Sequence, residues 1–440
     1  MKIDAKIYRS KLISIRSTIS RKTKFDKSTL TYSLGRVSIS ALSFLLLPIL
    51  ARILSPRDIG IIAIFVAIQS WLIILVSLNM GAAVTASYHK LTQSELRIFI
   101  TNSVYITSLL LIASSIILLI SFRAFAFFEH FSPFWIIILC TLVWFQSIYL
   151  IAQSVLQIKY LAKKSVGWEA AQLLLVIILS LVIIFAMFIL GFDNLWQGRA
   201  LGIVLGLSVS GLVAFKYLIS NRYIGIERID KFYIGKILTF SLPLLPHSLL
   251  SATLGTSLLL LGSSILGTEA VGVYSVTFQL ASITTIFAES YNKVYFPKMS
   301  QMIHCGEHSS SQIFGKVRKS CYNILITSSI LAAISSVASA FILPPEYQAN
   351  NIASLVGIMS SAGTLTGIYY CIATIFYARG KTHLISAAST LSVLLSIACG
   401  YYLTNKIGIF GLAATNLIAV ALNIACLWYY LKKADGLSLN

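Results

Sequence analysis

Arg36 and Glu289 lie inside stretches of this chain that are otherwise apolar. A charge placed in a bilayer costs about 2.5 kcal/mol or more, so such residues are functional candidates by default. Arg36 falls roughly two turns into the first apolar run, just after Gly35. A guanidinium there suits two-pronged contact with phosphate oxygens, and its depth equally permits snorkelling to headgroups. Arg52 is a second phosphate candidate, sixteen residues further on. At 3.6 residues per turn it sits about 160° around the helix from Arg36. A straight helix therefore shows only one of the two to a common cavity, and Arg52 suits a marker of the outward membrane interface.

Neutral polar groups form a second set. Gln146, Gln153 and Gln157 recur at spacings of seven and four, with Tyr149 and Tyr160 on the same side. On a helix the glutamines fall within about 40° of one another. Amides and phenols hydrogen-bond sugar hydroxyls without fixing one charge state, and aromatic rings pack on sugar rings. The alternative is hydrogen bonding between helices of one lobe. Four further residues are candidates for ion coupling or gating. Glu289 could take up a proton or Na⁺, but Lys293 follows at i+4, the order that favours an ion pair. His247, after Pro246, titrates near neutral pH or simply packs. Arg199 opens a helix, where a gate competes with a headgroup contact. The stripe Ser360, Thr364, Gly367, Cys371 and Thr374 reads as close helix packing instead.

The elements that must hold these residues are membrane helices. Only 11% of the 440 residues are charged and the mean hydropathy is +0.86. Soluble domains carry about twice that charged fraction. The pattern predicts an all-α integral membrane protein of about twelve helices, each near the 20 or so residues a bilayer needs. Six lie near 30–54, 59–86, 98–120, 133–156, 167–190 and 199–219. Six more lie near 236–262, 271–292, 320–343, 352–377, 383–403 and 409–431. The expected organisation is a basic arm (1–28), an N-lobe (29–220), a linker (221–235), a C-lobe (236–431) and a tail (432–440).

The net charge of +20 is distributed unevenly. Alternate loops from the first onward carry only Arg52, Arg57, Arg123, Arg199 and Lys406. Arg36 aside, the remaining Lys and Arg fall on the opposite side. The positive-inside rule then predicts both termini on the cytoplasmic side, so the charge does not mark a nucleic-acid binder. The basic arm is either an interfacial helix on anionic lipid or a disordered topology signal. The six cysteines suggest no disulfide framework, and His304 with His308 lack a third partner for a metal.

One phrase occurs twice. Ile53–Phe65 reads ILSPRDIGIIAIF and Ile265–Thr277 reads ILGTEAVGVYSVT, which aligns Gly60 with Gly272. A second echo aligns Gly198 and Ala200 with Gly411 and Ala413. Six helices per half place both halves in the same orientation, so the repeat is parallel, about an axis along the membrane normal.

Several segments together resemble the polysaccharide-transporter branch of the MOP superfamily, whose members include Wzx-type O-antigen flippases. They are Ala51-Arg52-Ile53-Leu54 with Ile59-Gly60; Phe240-Ser241-Leu242-Pro243-Leu244-Leu245-Pro246; Val271-Gly272-Val273-Tyr274-Ser275; and Tyr295-Phe296-Pro297-Lys298-Met299-Ser300. The resemblance implies a MATE-like fold of two six-helix lobes around a central cavity. It implies transfer of an undecaprenyl-pyrophosphate-linked oligosaccharide to the outer leaflet. No cofactor is expected beyond a coupling H⁺ or Na⁺. The expected partners are the lipid-linked substrate, membrane lipids, and a polymerase and chain-length regulator of the same pathway. Many relatives carry an acid two positions before the glycine that ends helix two; here the sequence is Asn79-Met80-Gly81, so that acid's role does not carry over. A cation-coupled multidrug exporter shares the fold, but its cavity should favour acids. A glycan polymerase or glycosyltransferase should show a large basic outer loop, and the outer loops here are short.

Overall fold

A computed structural model of the chain describes residues 35, 38–39, 42–124, 128–305, 310–348, 351–379 and 381–435. All of its regular structure is helical, with no strand among the described residues. The first described helix is α1 (Leu42–Ile53). The rest of the N-terminal half is α2 (Pro56–Ser77), α3 (Met80–Ser87), α4 (Gln93–Ser121), α5 (Pro133–Ile158), α6 (Ala162–Ile189) and α7 (Trp196–Ser220). The C-terminal half is α8 (Lys231–Leu266), α9 (Thr268–Cys305), α10 (Ser310–Ile342), the short α11 (Pro345–Gln348), α12 (Ile352–Ala378), α13 (Thr382–Ile407) and α14 (Ile409–Asp435).

Ten helices among the described residues are long and apolar enough to cross a membrane, and the shorter apolar α1 and the 36-residue α8 stand beside them. Large apolar side chains such as Ile116 and Ile120 on α4, Phe185 and Ile189 on α6, and Ile334 and Phe341 on α10 lie exposed. In water such belts would drive aggregation; in lipid they are solvated, and every helix keeps its backbone hydrogen bonds internal. The protein is a multi-pass membrane protein.

Local chemistry sets the helix ends. Ser55 caps α2 by accepting from the Asp58 amide at 3.1 Å, while the Asp58 carboxylate accepts from the Ser55 amide at 3.2 Å. Pro56 then occupies the first helical position, where it loses no hydrogen bond. Thr92 and Glu95 build the same reciprocal cap on α4. Between α8 and α9 the chain turns on Gly267 alone, at φ +85°. A side chain would strain that turn.

The two echoes fall at corresponding places in the two halves, across α1–α2 and α8–α9 and in α7 and α14. The helices of the two halves follow one order of enclosure. Within the bilayer stretch 50% of residues are buried in both α2 and α9, 22% in both α4 and α10, and 56% in both α5 and α12. Two apolar clusters lie mainly in each half, with α8 contributing to one of the N-terminal pair and α1 to one of the C-terminal pair. The second echo closes the last helix pair of each half. Gly198 of α7 lies against Ile184 of α6, where an added Cβ would come within 3.1 Å of the Ile184 backbone, and Gly411 of α14 lies against the Leu403 carbonyl of α13.

Three elements differ from the sequence expectation. The helix expected over 59–86 is two helices, because Leu78 (φ 42°) and Asn79 (φ 55°) take the left-handed conformation between α2 and α3. The helices expected at 271–292 and 320–343 extend to Cys305 and start at Ser310. There, polar faces solvate the helix beyond the apolar span, so hydrophobicity alone cuts them short. The arm 1–28 and residues 436–440 of the tail lie outside the described residues.

Candidate functional site

The halves meet along a seam formed by α1, α2, α3, α8 and α9. At the charge-poor end the seam is tight. Gly60 packs against Thr268 and Gly272, and Gly272 packs against Pro56 and Gly60. A Cβ on Gly60 would collide with the Thr268 carbonyl, and one on Gly272 with the Pro56 carbonyl. The two glycines aligned in sequence therefore touch in space. A residue that meets its own copy across a two-fold axis is constrained twice over, which explains why both copies keep glycine. Two hydrogen bonds reinforce this end: Tyr347 hydroxyl to the Leu54 carbonyl at 3.0 Å, and Gln279 amide to the Ser43 carbonyl at 3.0 Å.

Deeper along the seam, the interruption of α2 is tied to α8. The Asn79 side-chain amide donates to Ser248 Oγ at 2.8 Å. Ser248 follows Pro243 and Pro246, where the missing amides already weaken the α8 backbone ladder. An interrupted helix and a proline-weakened helix thus adjoin inside the membrane, a pairing that exposes backbone polar groups only where protein or water can meet them. Sequence reading missed this element, because neither Leu78 nor Asn79 is a glycine or proline. The available signal was Asn79, which tolerates the left-handed region better than most residues.

The expected glutamine stripe does not form one surface. Gln153 is buried and fully used inside the N-terminal half. It donates to Tyr149 hydroxyl at 2.7 Å and to the Ser165 carbonyl at 3.2 Å, and accepts from Ser165 Oγ at 2.6 Å. Tyr149 is buried with it, stacked on Trp168 with ring centroids 6.5 Å apart. These two join α5 to α6 and are not open to a substrate. Gln146 accepts from Gln69 of α2 at 2.6 Å and is half-buried, while Gln157 is exposed. The buried Gln69 was not anticipated; a lone amide in an apolar helix was its signal.

The charged candidates separate as well. Arg52 is exposed in the last turn of α1. Arg199 donates to Ser180 Oγ of α6 at 2.7 Å, beside Gly202, whose missing side chain admits Ser180. That places Arg199 in the packing of α6 on α7. Glu289 is exposed and Lys293 half-buried, and the ion pair expected between them is not formed. Arg36 and the His247 side chain lie outside the described residues, as do the His304 side chain and His308.

Comparison with known proteins places this geometry. The sequence profile of the polysaccharide biosynthesis protein family matches residues 25–303, well over half of the chain. The chain belongs to this family. No curated protein sequence matches the chain significantly. Among solved structures, the lipid II flippase MurJ in an inward closed conformation superposes with a TM-score of 0.68 at 14% identity, over 92% of this chain and 87% of that one. An inward-facing multidrug resistance MATE family transporter of the MOP superfamily gives 0.66 at 14%, over 92% and 98%. A MOP superfamily transporter from Pyrococcus furiosus gives 0.58 at 13%, over 94% and 96%. At such identities the likeness establishes the fold, which is the two-lobed MOP architecture expected from the sequence.

Proposed function

We propose that this family member is a flippase that carries an undecaprenyl-pyrophosphate-linked oligosaccharide from the cytoplasmic to the periplasmic leaflet of the bacterial inner membrane, by alternating access between its two halves. The observation that carries the reading is membership of a polysaccharide biosynthesis family by a chain whose fold is a duplicated membrane transporter. A glycan cannot cross hydrocarbon unaided, since each unpaired polar group there costs several kcal/mol. The lipid tail can remain in the bilayer while a polar path between the halves carries the headgroup.

On this reading the Gly60/Gly272 contact is the closed gate of one state, and parting α2 from α9 opens the periplasmic end. Both termini are cytoplasmic, on the basic side. Arg36 is the candidate phosphate ligand, and Gln146 and Gln157 remain candidates for sugar contact; Tyr149, Gln153 and Arg199 serve packing. Glu289, exposed and unpaired with Lys293, is the candidate for a coupling H⁺ or Na⁺. The protein itself makes or breaks no covalent bond, and hands its cargo to a polymerase and chain-length regulator.

Deletion of the gene followed by lipid analysis tests this. Accumulation of an undecaprenyl-linked repeat unit on the cytoplasmic leaflet is the expected result. Unpolymerised units at the periplasmic face would overturn it in favour of a polymerase. Arg36→Ala is expected to lower glycan display while the protein stays in the membrane; normal display would remove Arg36 from the path.

A further inference from the structure

At the basic end of the C-terminal half, one face of α9 and one face of α10 enclose a cavity of about 510 Å³. From α9 come Tyr295, Lys298 and Met302, and from α10 come Lys316, Lys319 and Ser320. Both sets follow the three- and four-residue spacing of a single helix face. The volume falls in the range of small-molecule sites, about 300–1,000 Å³. Tyr295 is 23 residues from Gly272 along the same helix, roughly 35 Å at 1.5 Å per residue, so the cavity is remote from the tight end of the seam.

The chemistry of the lining has one sign. Three lysines line the cavity and no carboxylate does among the described residues. None of the three forms an ion pair among the described residues. The Lys316 ammonium instead contacts the Met302 thioether at 3.2 Å, a weak acceptor. Mutual repulsion of unpaired lysines is unfavourable unless an anion joins them. A second observation points the same way. Tyr295 is only 9% exposed, yet its buried hydroxyl has no hydrogen-bond partner among the described residues. Burial above all, then the nearby Cys371 and Cys321, hold its phenol above the ordinary range, so it stays protonated and able to donate. A buried donor without an acceptor calls for an explanation, and a ligand oxygen supplies one.

The corresponding helices of the N-terminal half are closed. Ala83 of α3 and Val104 of α4 lie buried in one apolar cluster there. The lysines and the tyrosine are thus additions to one copy of the repeat.

We propose that the α9–α10 cavity binds a phosphate-ester anion, with Lys298, Lys316 and Lys319 around its oxygens and the Tyr295 hydroxyl donating from the floor. Three lysines with no carboxylate among the described lining residues favour an anion over a neutral sugar, and the volume leaves room for an ester substituent. The same chemistry is presented by the headgroup of an anionic phospholipid and by a soluble phosphate ester. The proposal is independent of transport and stands or falls by a binding measurement.

That measurement is calorimetric titration of the full-length protein in neutral detergent with dihexanoyl phosphatidylglycerol and, separately, with glycerol 3-phosphate. Saturable binding of the first alone assigns the site to a lipid headgroup; comparable binding of both assigns it to a soluble ester. In either case Lys298→Gln/Lys316→Gln/Lys319→Gln is expected to weaken binding at least about ten-fold. Lys231→Gln/Lys236→Gln, on the same basic side, is expected to leave it unchanged. Tyr295→Phe separates a ligand role from a structural one. It is expected to weaken binding about three- to ten-fold while the unliganded protein melts no lower, since the lost hydroxyl has no partner among the described residues. No saturable binding of either probe, full binding by the triple variant or by Tyr295→Phe, or equal loss in the control pair overturns the proposal.

Discussion

The two halves agree where they touch each other and part where they meet something else. At the charge-poor end Gly60 and Gly272 are each other's neighbours, and neither copy has changed. At the basic end the copies have little in common. In the N-terminal half α2 gives way to α3, and the chain after α7 returns across α4. There Glu227 pairs with Arg97 at 3.0 Å, and the Gly225 and Asp230 amides donate to Thr101 and Asn102 at 3.2 and 3.1 Å. In the C-terminal half α9 runs unbroken from Thr268 to Cys305, and its lysine-bearing face looks onto an open cavity. A duplicated scaffold thus keeps its contacts at the axis, where one residue serves both copies, and in the glycine-closed last helix pair of each half. Elsewhere each half is free to take its own surface chemistry.

The largest expected effect lies on that axis. Gly60→Val and Gly272→Val each force α2 and α9 apart, against backbone carbonyls that cannot rotate away. Each is expected to destabilise the protein by about 3 kcal/mol, the upper end of ordinary overpacking. Because the two residues share one contact, the double variant should lose less than the sum of the singles. Thermal melting in detergent checks this. A severe Gly60→Val beside a harmless Gly272→Val would break the equivalence of the halves. Gly167→Ala and Gly315→Ala, with open space at both sites, should be neutral or stabilising by up to about 1 kcal/mol.

Next in size is the contrast within α5. Gln153→Leu strands the Ser165 hydroxyl and the Tyr149 phenol, at about 1–3 kcal/mol for a buried group left unpaired. Gln157→Leu, at an exposed position, should stay within about 0.5 kcal/mol. Measured stabilities of the reverse pattern would restore the glutamine stripe as an open surface.

These cases show what was legible in the chain. The helices were, because an apolar run of bilayer length has few other fates. So was the glycine echo, because two copies of one contact leave two copies of one signal. The direction in which Gln153 faces was not. A membrane helix is apolar all round, so periodicity cannot tell lipid from protein core, and only the neighbours on α6 decide. The interruption at Leu78 and Asn79 was hidden for a different reason. Its one local signal is the tolerance of Asn79 for the left-handed region, and the bond from Asn79 to Ser248 that accompanies it is tertiary. The lysine cavity combines both difficulties, since its faces become helix faces only once α9 and α10 are known to continue past the bilayer.

The interruption offers a smaller test of the asymmetry. Asn79→Ala removes the bond to Ser248 and places a less tolerant residue at φ 55°, for an expected loss of about 1–2 kcal/mol. Asn79→Gly loses the bond but relaxes the backbone, and should come out near neutral. Equal losses in the two variants would mean that the bond, and not the left-handed turn, holds the break.

The smallest expected effect is a pH dependence that follows the one charge reversal inside the echo, Arg57 against Glu269. His130 lies half-buried in the loop before α5. Its own burial, and secondly the Arg57 guanidinium, hold its pKa below the ordinary 6.5, with Glu129 opposing. The folded state therefore favours neutral imidazole, and the unfolded chain takes up the proton first on acidification. The resulting stability is complete above the unfolded pKa and is lost as pH falls below about 6.5 through the folded value. Melting temperatures at pH 7.5 and 5.5 should show a smaller drop for His130→Gln than for the parent protein. Arg57→Glu, which copies the charge of the other half into this one, should shrink the drop as well, because an acid beside the imidazole favours its protonated form. An unchanged drop in both variants would leave the reversal of charge between the copies without electrostatic consequence at this end.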